Sequence, residues 1–239
     1  MCAIKFPWLT LRQRRMAVKR WSAELLAVLG IDLHVRGTPP PDDARPVMLV
    51  ANHVSWLDIF SINAVVPARF VAKSEIRRWP FIGWLCAQAG TIFIRQARRH
   101  DTVRVNAEVS AALSAGDVFA VFPEGTTSDG SNVAKFHSSL LEPALAAGAA
   151  VQPVAIRYER EDGTLCTEVA YDGDTTLWET IRAMTTQPSI AVHLRFLPPA
   201  IAAGRHRREL AREAREAILR TLFPGARDTR TDKDSGPRA

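Results

Sequence analysis

The stretch VMLVANHVSWLDIFSINAV, residues 47–65, decides the fold. Its first five residues form a continuous apolar run, which is typical of a strand buried on both faces of a sheet. Polar residues interrupt the run at Asn52 and His53, and from residue 56 the apolar side chains recur with helical spacing. A strand, a short loop and a helix form the repeating unit of sheets that are covered by helices. We therefore predict a strand at 47–51 and a helix at 56–65.

The alternation of short apolar runs and helical periods continues toward the C-terminus. A helix is predicted after Asp101, which we expect to cap it, and Gly116 is expected to end it. Two more helices are predicted at 140–147 and 206–222. This order favours an α/β fold with a mainly parallel sheet that is covered by helices. The further strands are predicted at 70–73, 91–94, 118–122, 150–158 and 189–196.

The N-terminal segment combines positive charge with aromatic and aliphatic residues. Residues 1–30 hold six Lys or Arg against Glu24 alone, so they contribute +5 of the formal net charge of +6. An amphipathic helix of this kind suits a lipid interface, where stems and rings are buried and charges meet headgroups. The same pattern also fits a solvated helix packed on the domain. We predict an interfacial helix that ends at Gly30, and no nucleic-acid binding, because no nucleic-acid module accompanies the basic residues.

Length and composition exclude several classes of protein. A chain of 239 residues that is 47% hydrophobic and 23% charged suits one globular domain. The longest uncharged stretch, 79–94, falls short of the roughly 20 apolar residues of a membrane-spanning helix, and no cleavable signal peptide is expected. Three cysteines without a C-x-x-C pair argue against disulfides and zinc and favour a reducing compartment. We predict a membrane-interface segment at 1–36, a domain at 37–224 and a disordered tail at 225–239.

The first candidate for chemistry is the pair His53 and Asp58, directly after the predicted strand. Five positions on a continuous helix rotate two side chains apart by about 140° net, so the pair can meet only if the chain turns between them. Ser55 is expected to supply that turn through the capping-box pattern Ser-x-x-Asp. A carboxylate that holds an imidazole fixes its tautomer and leaves the other nitrogen as a base. The spacing also fits a loop histidine beside a residue that only caps a helix. His137 and Glu142 have the same spacing, and we assign that pair a structural role.

The second candidate is the segment FPEGTTS at 122–128, at the end of a predicted strand. In open parallel sheets, ligands bind beyond the carboxyl ends of the strands, and both candidate segments would emerge at that edge. Gly125 would let a substrate approach the backbone closely, and the hydroxyls of Thr126 and Thr127 would bond a polar substrate. The alternative is a strand-to-helix turn without a ligand.

Together, NHVSWLD at 52–58 and FPEGT at 122–126 resemble the glycerolipid acyltransferases, whose best-known members acylate lysophosphatidic acid. Two further blocks of that family match in order, GTIFIR at 90–95 and VQPVA at 151–155. The resemblance covers about residues 20–200. It implies an α/β acyltransferase domain at a membrane surface, expected on the cytoplasmic face of the inner membrane as a peripheral or monotopic protein. It also implies acyl-CoA or acyl carrier protein as donor, a lysolipid acceptor, and no metal or other cofactor.

The resemblance also implies roles for individual residues. It makes His53 the general base and Asp58 the carboxylate that orients it. Glu124 and Gly125 would belong to the acceptor site. The further candidate substrate-binding residues are Thr126, Thr127, Arg95 and Lys73.

Three departures from the family pattern bear on the acceptor. Thr127 and Gln96 stand where lysophosphatidate acyltransferases usually have Arg, and FHSS at 136–139 replaces a Lys/Gly-rich stretch. Each change removes or displaces positive charge that a phosphomonoester would need. We expect 1-acylglycerol-3-phosphate as acceptor, giving phosphatidic acid, with lyso-ornithine lipid as the alternative, since the chain also resembles lyso-ornithine lipid acyltransferases. A catalytically inactive lipid-binding protein is the alternative from a different class.

Overall fold

A computed structural model describes residues 9–41, 46–74, 77, 82–88, 90–94, 99–171, 173 and 175–225. Within these residues, eight strands form one sheet, in which all but two of the strand pairings are parallel. The predicted α/β fold with a mainly parallel sheet is confirmed. The strands are β1 (Ile31–Gly37), β2 (Val47–Ala51), β3 (Arg69–Lys73), β4 (Ile92–Ile94), β5 (Val118–Val121), β6 (Ala150–Arg160), β7 (Ile190–Phe196) and β8 (Ala200–Ile201).

Helices cover both faces of the sheet. Because successive side chains of a strand point to opposite faces, Leu49 joins one apolar cluster and its neighbours Met48 and Val50 join the other. No helix among the described residues is both long enough and apolar enough to cross a membrane. The helices are α1 (Leu11–Val28), α2 (Leu57–Val65), α3 (Ile82–Gln88), α4 (Arg99–Ser114), α5 (Glu142–Ala146), α6 (Leu177–Met184) and α7 (Arg207–Leu222).

The strand order places the two candidate segments side by side. The sheet runs β1-β7-β6-β2-β5-β3-β4, with β8 paired to β6. Strand β2 is central and pairs in parallel with β5 on one side and with β6 on the other. The loops that follow β2 and β5 therefore leave the same edge of the sheet.

Strand β1 was not predicted. Its apolar residues Ile31, Leu33 and Val35 alternate with polar ones, as in a half-exposed edge strand, and the strand pairs in parallel with β7. Our sequence interpretation instead gave Ile31 to the end of the preceding apolar run. The predicted domain boundary between residues 36 and 37 consequently falls inside a strand of the sheet.

Helix α1 packs against the domain through one side. Val18 and Leu26 are buried, and the Trp21 ring meets the Phe60 ring of α2 edge-on at 5.5 Å between centroids. The opposite side exposes Met16, which is 60% exposed, together with several basic residues. The helix is therefore docked on the domain along one side, and its role at a membrane interface stays a prediction.

An ion-pair bridge ties α1 to the sheet. The Asp117 carboxylate accepts from Arg15 of α1 at 2.7 Å and from Arg69 of β3 at 3.0 Å. Arg69 also donates to the Gly90 carbonyl at 3.0 Å. These contacts give both arginines partners within the protein.

Two predicted helices differ from the prediction by more than one residue at their start. Helix α4 begins at Arg99, so Asp101 lies within its first turn rather than capping it, whereas Gly116 follows the helix with a φ of +87° as predicted. The helix predicted at 140–147 is a 3₁₀ turn at Ser138–Leu141 followed by α5, in which Pro143 is the second residue, because proline is tolerated in the first turn of an α-helix. Of the predicted tail, residues 226–239 lie outside the described residues.

Candidate active site

His53 and Asp58 meet at the carboxyl edge of β2. His53 lies in the loop after the strand, and Asp58 is the second residue of α2, so the chain turns between them as the spacing argument requires. His53 Nδ1 is 2.8 Å from Asp58 Oδ2. The short loop thus converts a pair that would diverge on a helix into a hydrogen-bonded dyad.

The Asp58 carboxylate is fully buried and receives four donors. Its Oδ2 accepts from His53 Nδ1, from the Val54 amide at 2.7 Å and from the Ser55 amide at 2.9 Å. Its Oδ1 accepts from the Tyr158 hydroxyl at 2.8 Å. An ionised carboxylate offers about four acceptor sites, so these donors match its capacity and offset its loss of water.

The capping box predicted at Ser55 is only half formed. The Asp58 carboxylate bonds the Ser55 amide, but the Ser55 hydroxyl has no hydrogen-bond partner among the described residues, and no side chain caps α2 at Trp56. The reason is that Oδ2 of Asp58 collects both loop amides together with the imidazole. The carboxylate organises this turn in place of the serine.

The contacts of His53 fix its tautomer and its ring plane. A carboxylate can only accept, so Nδ1 carries the hydrogen and Nε2 carries the lone pair. The ring stacks on Phe122 at 4.0 Å between centroids with 8° between planes, and Phe70 stacks behind Phe122 at 5.8 Å. The His53 side chain keeps 19% exposure. Phe122 thus holds one face of the His53 ring and Asp58 holds its Nδ1 edge, which leaves Nε2 available to a ligand.

The loop after β5 forms hydrogen bonds with the backbone of His53. Glu124 Oε1 accepts from the His53 amide at 2.8 Å, and the Ser128 amide donates to the His53 carbonyl at 2.9 Å. Glu124 Oε2 accepts from the Ala134 amide at 2.7 Å. Burial raises the pKa of Glu124, and the bonds from the Ala134 and His53 amides oppose that rise. Both oxygens of a residue expected in the acceptor site are therefore engaged with backbone.

Gly125 adopts a backbone conformation that favours glycine over other residues. Its φ of +76° is in the left-handed region, and a Cβ added there would lie 3.4 Å from the His137 ring. His137 and Glu142 do not pair, because Glu142 bonds Arg207 at 2.7 Å and the exposed His137 ring lies against Gly125. The structural reading of Glu142 agrees with this ion pair, whereas His137 borders the candidate site.

The remaining predicted residues are placed unequally. Thr126 is exposed beside Gly125, and the Thr127 hydroxyl donates to the Tyr171 carbonyl. Lys73 ends β3, and Arg95 lies outside the described residues. In the part of the chain that the structure describes, no cluster of three or more His, Cys, Asp or Glu is placed to hold a metal ion.

Two residues of the site escaped sequence analysis. The Asn52 amide group donates to the Ile156 carbonyl at 2.9 Å and accepts from the Ile156 amide at 2.8 Å, which extends the pairing of β2 with β6 by one rung. Tyr158, which bonds Asp58, lies 100 residues further along the chain. Asn52 directly after a buried strand was a usable signal, whereas the Tyr158 contact depends on strand pairing that no local pattern encodes.

Comparison with known proteins identifies the family. Residues 32–157 match the family described as Acyltransferase. The chain is 38% identical over 234 residues to a lyso-ornithine lipid O-acyltransferase of Pseudomonas aeruginosa, covering 94% of this chain and 89% of the relative. It is 35% identical over 209 residues to a 1-acyl-sn-glycerol-3-phosphate acyltransferase of Neisseria meningitidis, covering 87% of this chain and 81% of the relative.

A solved structure agrees with these matches. The crystal structure of the 1-acyl-sn-glycerophosphate acyltransferase from Thermotoga maritima superposes with a TM-score of 0.70 at 26% identity, covering 92% of this chain and 84% of that one. The family match spans more than half of the sequence, and the relatives cover most of it. The resemblance seen in the four sequence blocks is therefore confirmed, and the chain belongs to the glycerolipid acyltransferase family.

Proposed function

We propose that this enzyme transfers a fatty acyl group from an acyl thioester to the free hydroxyl of a lysolipid, with His53 as general base. The observation that carries the proposal is the His53–Asp58 pair, because it holds a partly exposed imidazole by Nδ1 at the carboxyl edge of β2, where ligands bind in open parallel sheets. The family match supports acyl transfer as the reaction.

The proposed reaction needs no covalent enzyme intermediate. The acceptor oxygen attacks the thioester carbonyl carbon while His53 Nε2 takes the hydroxyl proton, and Asp58 stabilises the resulting imidazolium through Nδ1–H. The C–S bond then breaks, and the imidazolium gives its proton to the departing thiolate. A positioned base of this kind contributes about 10²–10⁴-fold, and alignment of the two substrates contributes further.

The loop after β5 is assigned two tasks. Glu124 and Ser128 hold the His53 backbone, so they support the position of the base. Gly125 and the exposed Thr126 remain our candidates for contact with the acceptor, together with Lys73 and Arg95 as candidate cations. The bonds that Glu124 makes to backbone favour a supporting role over direct contact with the headgroup.

Two acceptors are supported by different observations. Similarity to 1-acyl-sn-glycerol-3-phosphate acyltransferases supports 1-acylglycerol-3-phosphate, with phosphatidic acid as product. The neutral Thr127, whose hydroxyl is used by the Tyr171 carbonyl, favours lyso-ornithine lipid, because a phosphomonoester is best held by Arg or Lys. Similarity over 94% of the chain to a lyso-ornithine lipid O-acyltransferase supports the same choice.

We further propose that the enzyme works at the cytoplasmic face of the inner membrane as a peripheral or monotopic protein. Its substrate would reside in the bilayer, and the exposed side of α1 carries basic residues together with Met16. The donor would be acyl-CoA or acyl carrier protein. Parallel assays with each thioester would distinguish the two donors.

The test is acyl transfer by purified enzyme to a panel that contains 1-acylglycerol-3-phosphate and lyso-ornithine lipid, with ester products measured by mass spectrometry. Wild type is compared with His53→Ala and with His34→Ala, which removes an exposed imidazole from the edge strand β1. We expect His53→Ala to lose acceptor-dependent product and His34→Ala to keep it. Equal product from His53→Ala and wild type would remove His53 from the reaction, and product from neither lysolipid would refute the acceptor class.

A further inference from the structure

The phenol of Tyr158 bonds the Asp58 carboxylate at the oxygen that His53 does not use. Its hydroxyl donates to Oδ1 at 2.8 Å, while His53 Nδ1 bonds Oδ2 at 2.8 Å. Tyr158 and Asp58 are both fully buried. Among the described residues, the phenol is the donor to Oδ1, so the orientation of the carboxylate depends on contacts at both of its oxygens.

The unequal length of two neighbouring strands explains how Tyr158 reaches Asp58. Strand β6 pairs with β2 up to the partners Ala51 and Val154, and then continues to residue 160 alongside β7. Alternation places Tyr158 on the same face as Val154, in the apolar cluster that includes Leu57 of α2. The extension of β6 therefore carries the phenol beneath the first turn of α2, where Asp58 lies.

The phenol is suited to remain a donor. Burial, and after it the negative charge of Asp58, raise the pKa of Tyr158 well above its ordinary value. The hydroxyl therefore keeps its proton in the working pH range and makes a charge-assisted bond, which is about twice as strong as a bond between neutral groups. Full burial also separates Tyr158 from the substrate.

We propose that Tyr158 is a positioning residue for acyl transfer. Its hydroxyl holds Oδ1 of Asp58 so that Oδ2 stays aligned with His53 Nδ1 while the imidazole gains and releases the proton of the acceptor. This inference rests on the proposed role of His53 as base. It assigns Tyr158 an effect that passes through Asp58 alone.

The test combines Tyr158→Phe with Asp58→Asn. Tyr158→Phe removes one hydroxyl, and we expect kcat to fall about tenfold with KM unchanged. In the Asp58→Asn background the same substitution is expected to cause no further loss, because its effect acts through the carboxylate. Thr180→Val is the matched control. It removes a buried hydroxyl of α6 that donates to the carbonyl of Thr176, the residue before the helix, and it should leave kcat unchanged in both backgrounds.

A spectroscopic measurement tests the same bond without activity. In protein with ¹⁵N-labelled histidine, the Nδ1–H proton resonance of His53 should move in Tyr158→Phe and stay in place in Thr180→Val. If Tyr158→Phe does not fold, 3,5-difluorotyrosine replaces Tyr158, which is the one tyrosine of the sequence left in a Tyr171→Phe background, and kcat should respond to the altered donor strength of the phenol.

Three results would overturn the inference: wild-type kcat in Tyr158→Phe, a tenfold loss that persists in the Asp58→Asn background, or an unmoved Nδ1–H resonance. In the fluorotyrosine experiment, an unchanged kcat would have the same meaning. Failure of the proposed function is seen separately, as undiminished acyl transfer by His53→Ala.

Discussion

At the scale of single residues, the candidate base has little freedom. Phe122 covers one face of the His53 ring, Asp58 bonds its edge, and the loop after β5 bonds its backbone on both sides. A general base is effective only within hydrogen-bond reach of the proton that it removes. The contacts around His53 restrict its movement and keep Nε2 in one direction.

Asp58→Asn tests the electrostatic part of this arrangement. An asparagine keeps the volume, but its NH2 group cannot accept from the imidazole and its neutral amide cannot stabilise an imidazolium. We expect kcat to fall by about 10²–10⁴-fold with a smaller change in KM. Steady-state assays measure the loss, and Asp32→Asn on the exposed part of β1 is the matched control. An Asp58→Asn enzyme with kcat near wild type would contradict the proposed role of the pair.

At the scale of elements, the site depends on how two strands end. Strand β2 stops at Ala51, and the Asn52 side chain then replaces a backbone rung by bonding both polar groups of Ile156. This contact keeps β6 in register beyond the end of β2. The chain can therefore turn toward Asp58 while Asn52 stays hydrogen-bonded to β6.

Asn52→Ala should break that register. The substitution leaves the buried amide and carbonyl of Ile156 without their partner, and each unsatisfied buried group costs about 1–3 kcal/mol. We expect a fall of at least about 1 kcal/mol in the free energy of unfolding, measured by urea denaturation, and a loss of activity. Asn132→Ala on an exposed loop is the control. Equal unfolding free energies for the two variants would show that the Asn52 contact is dispensable.

The pairing of β1 with β7 predicts a pH effect on stability. His193 stacks on its register partner His34 at 4.8 Å between centroids, and Glu159 lies 3.1 Å from His193 Nε2. Burial lowers the pKa of His193, Arg36, Arg195 and His34 add to the lowering, and Glu159 opposes it.

Because the folded pKa of His193 lies below the unfolded value of 6.5, the unfolded state binds more protons between the two values. The His193 contribution to the free energy of unfolding should therefore increase as pH rises through that window and be lost as pH falls. Urea denaturation at about pH 5.5 and about pH 7.5 measures the difference. We expect this difference in the free energy of unfolding between the two pH values to be smaller in His193→Gln. A pH dependence equal to that of wild type would contradict its assignment to His193.

At the scale of the whole molecule, a different layer of helices covers each face of the sheet. The layer with α1 and α2 lies on one face, and the layer with α4 and α7 lies on the other. Arg12 and Lys19 are exposed on α1, four residues before and three residues after the exposed Met16, so the three side chains share one side of the helix. Basic and apolar groups on one surface favour contact with an anionic bilayer.

We expect Arg12→Glu/Lys19→Glu to weaken binding to vesicles that contain phosphatidylglycerol, with the larger effect at low ionic strength. Flotation of wild type and variant with these vesicles measures the bound fraction. Arg208→Glu/Arg220→Glu on α7 changes the formal charge equally on the other face and should retain binding. Equal losses in both variants would indicate attraction by net charge, and no loss in either would count against α1 as the membrane-facing surface.

The limits of sequence analysis follow from which contacts are local. Strand β2, helix α2 and the His53 turn were predicted because apolar period and capping chemistry act over a few residues. Strand β1 was missed because only three apolar residues alternate along it and the residues between them are charged or histidine, a pattern that a loop after Gly30 would also fit. The contacts of Glu124 and Tyr158 join positions 71 and 100 residues apart, so they depend on strand order, which periodicity does not specify.

The hydrogen bonds between the loop after β5 and the His53 backbone have a consequence for protein engineering. A designer who transplants the strand–turn–helix unit alone into a new scaffold would import the imidazole and its carboxylate without the two bonds that hold the main chain of the histidine. The smallest portable unit contains both segments, on adjacent parallel strands and in their native register.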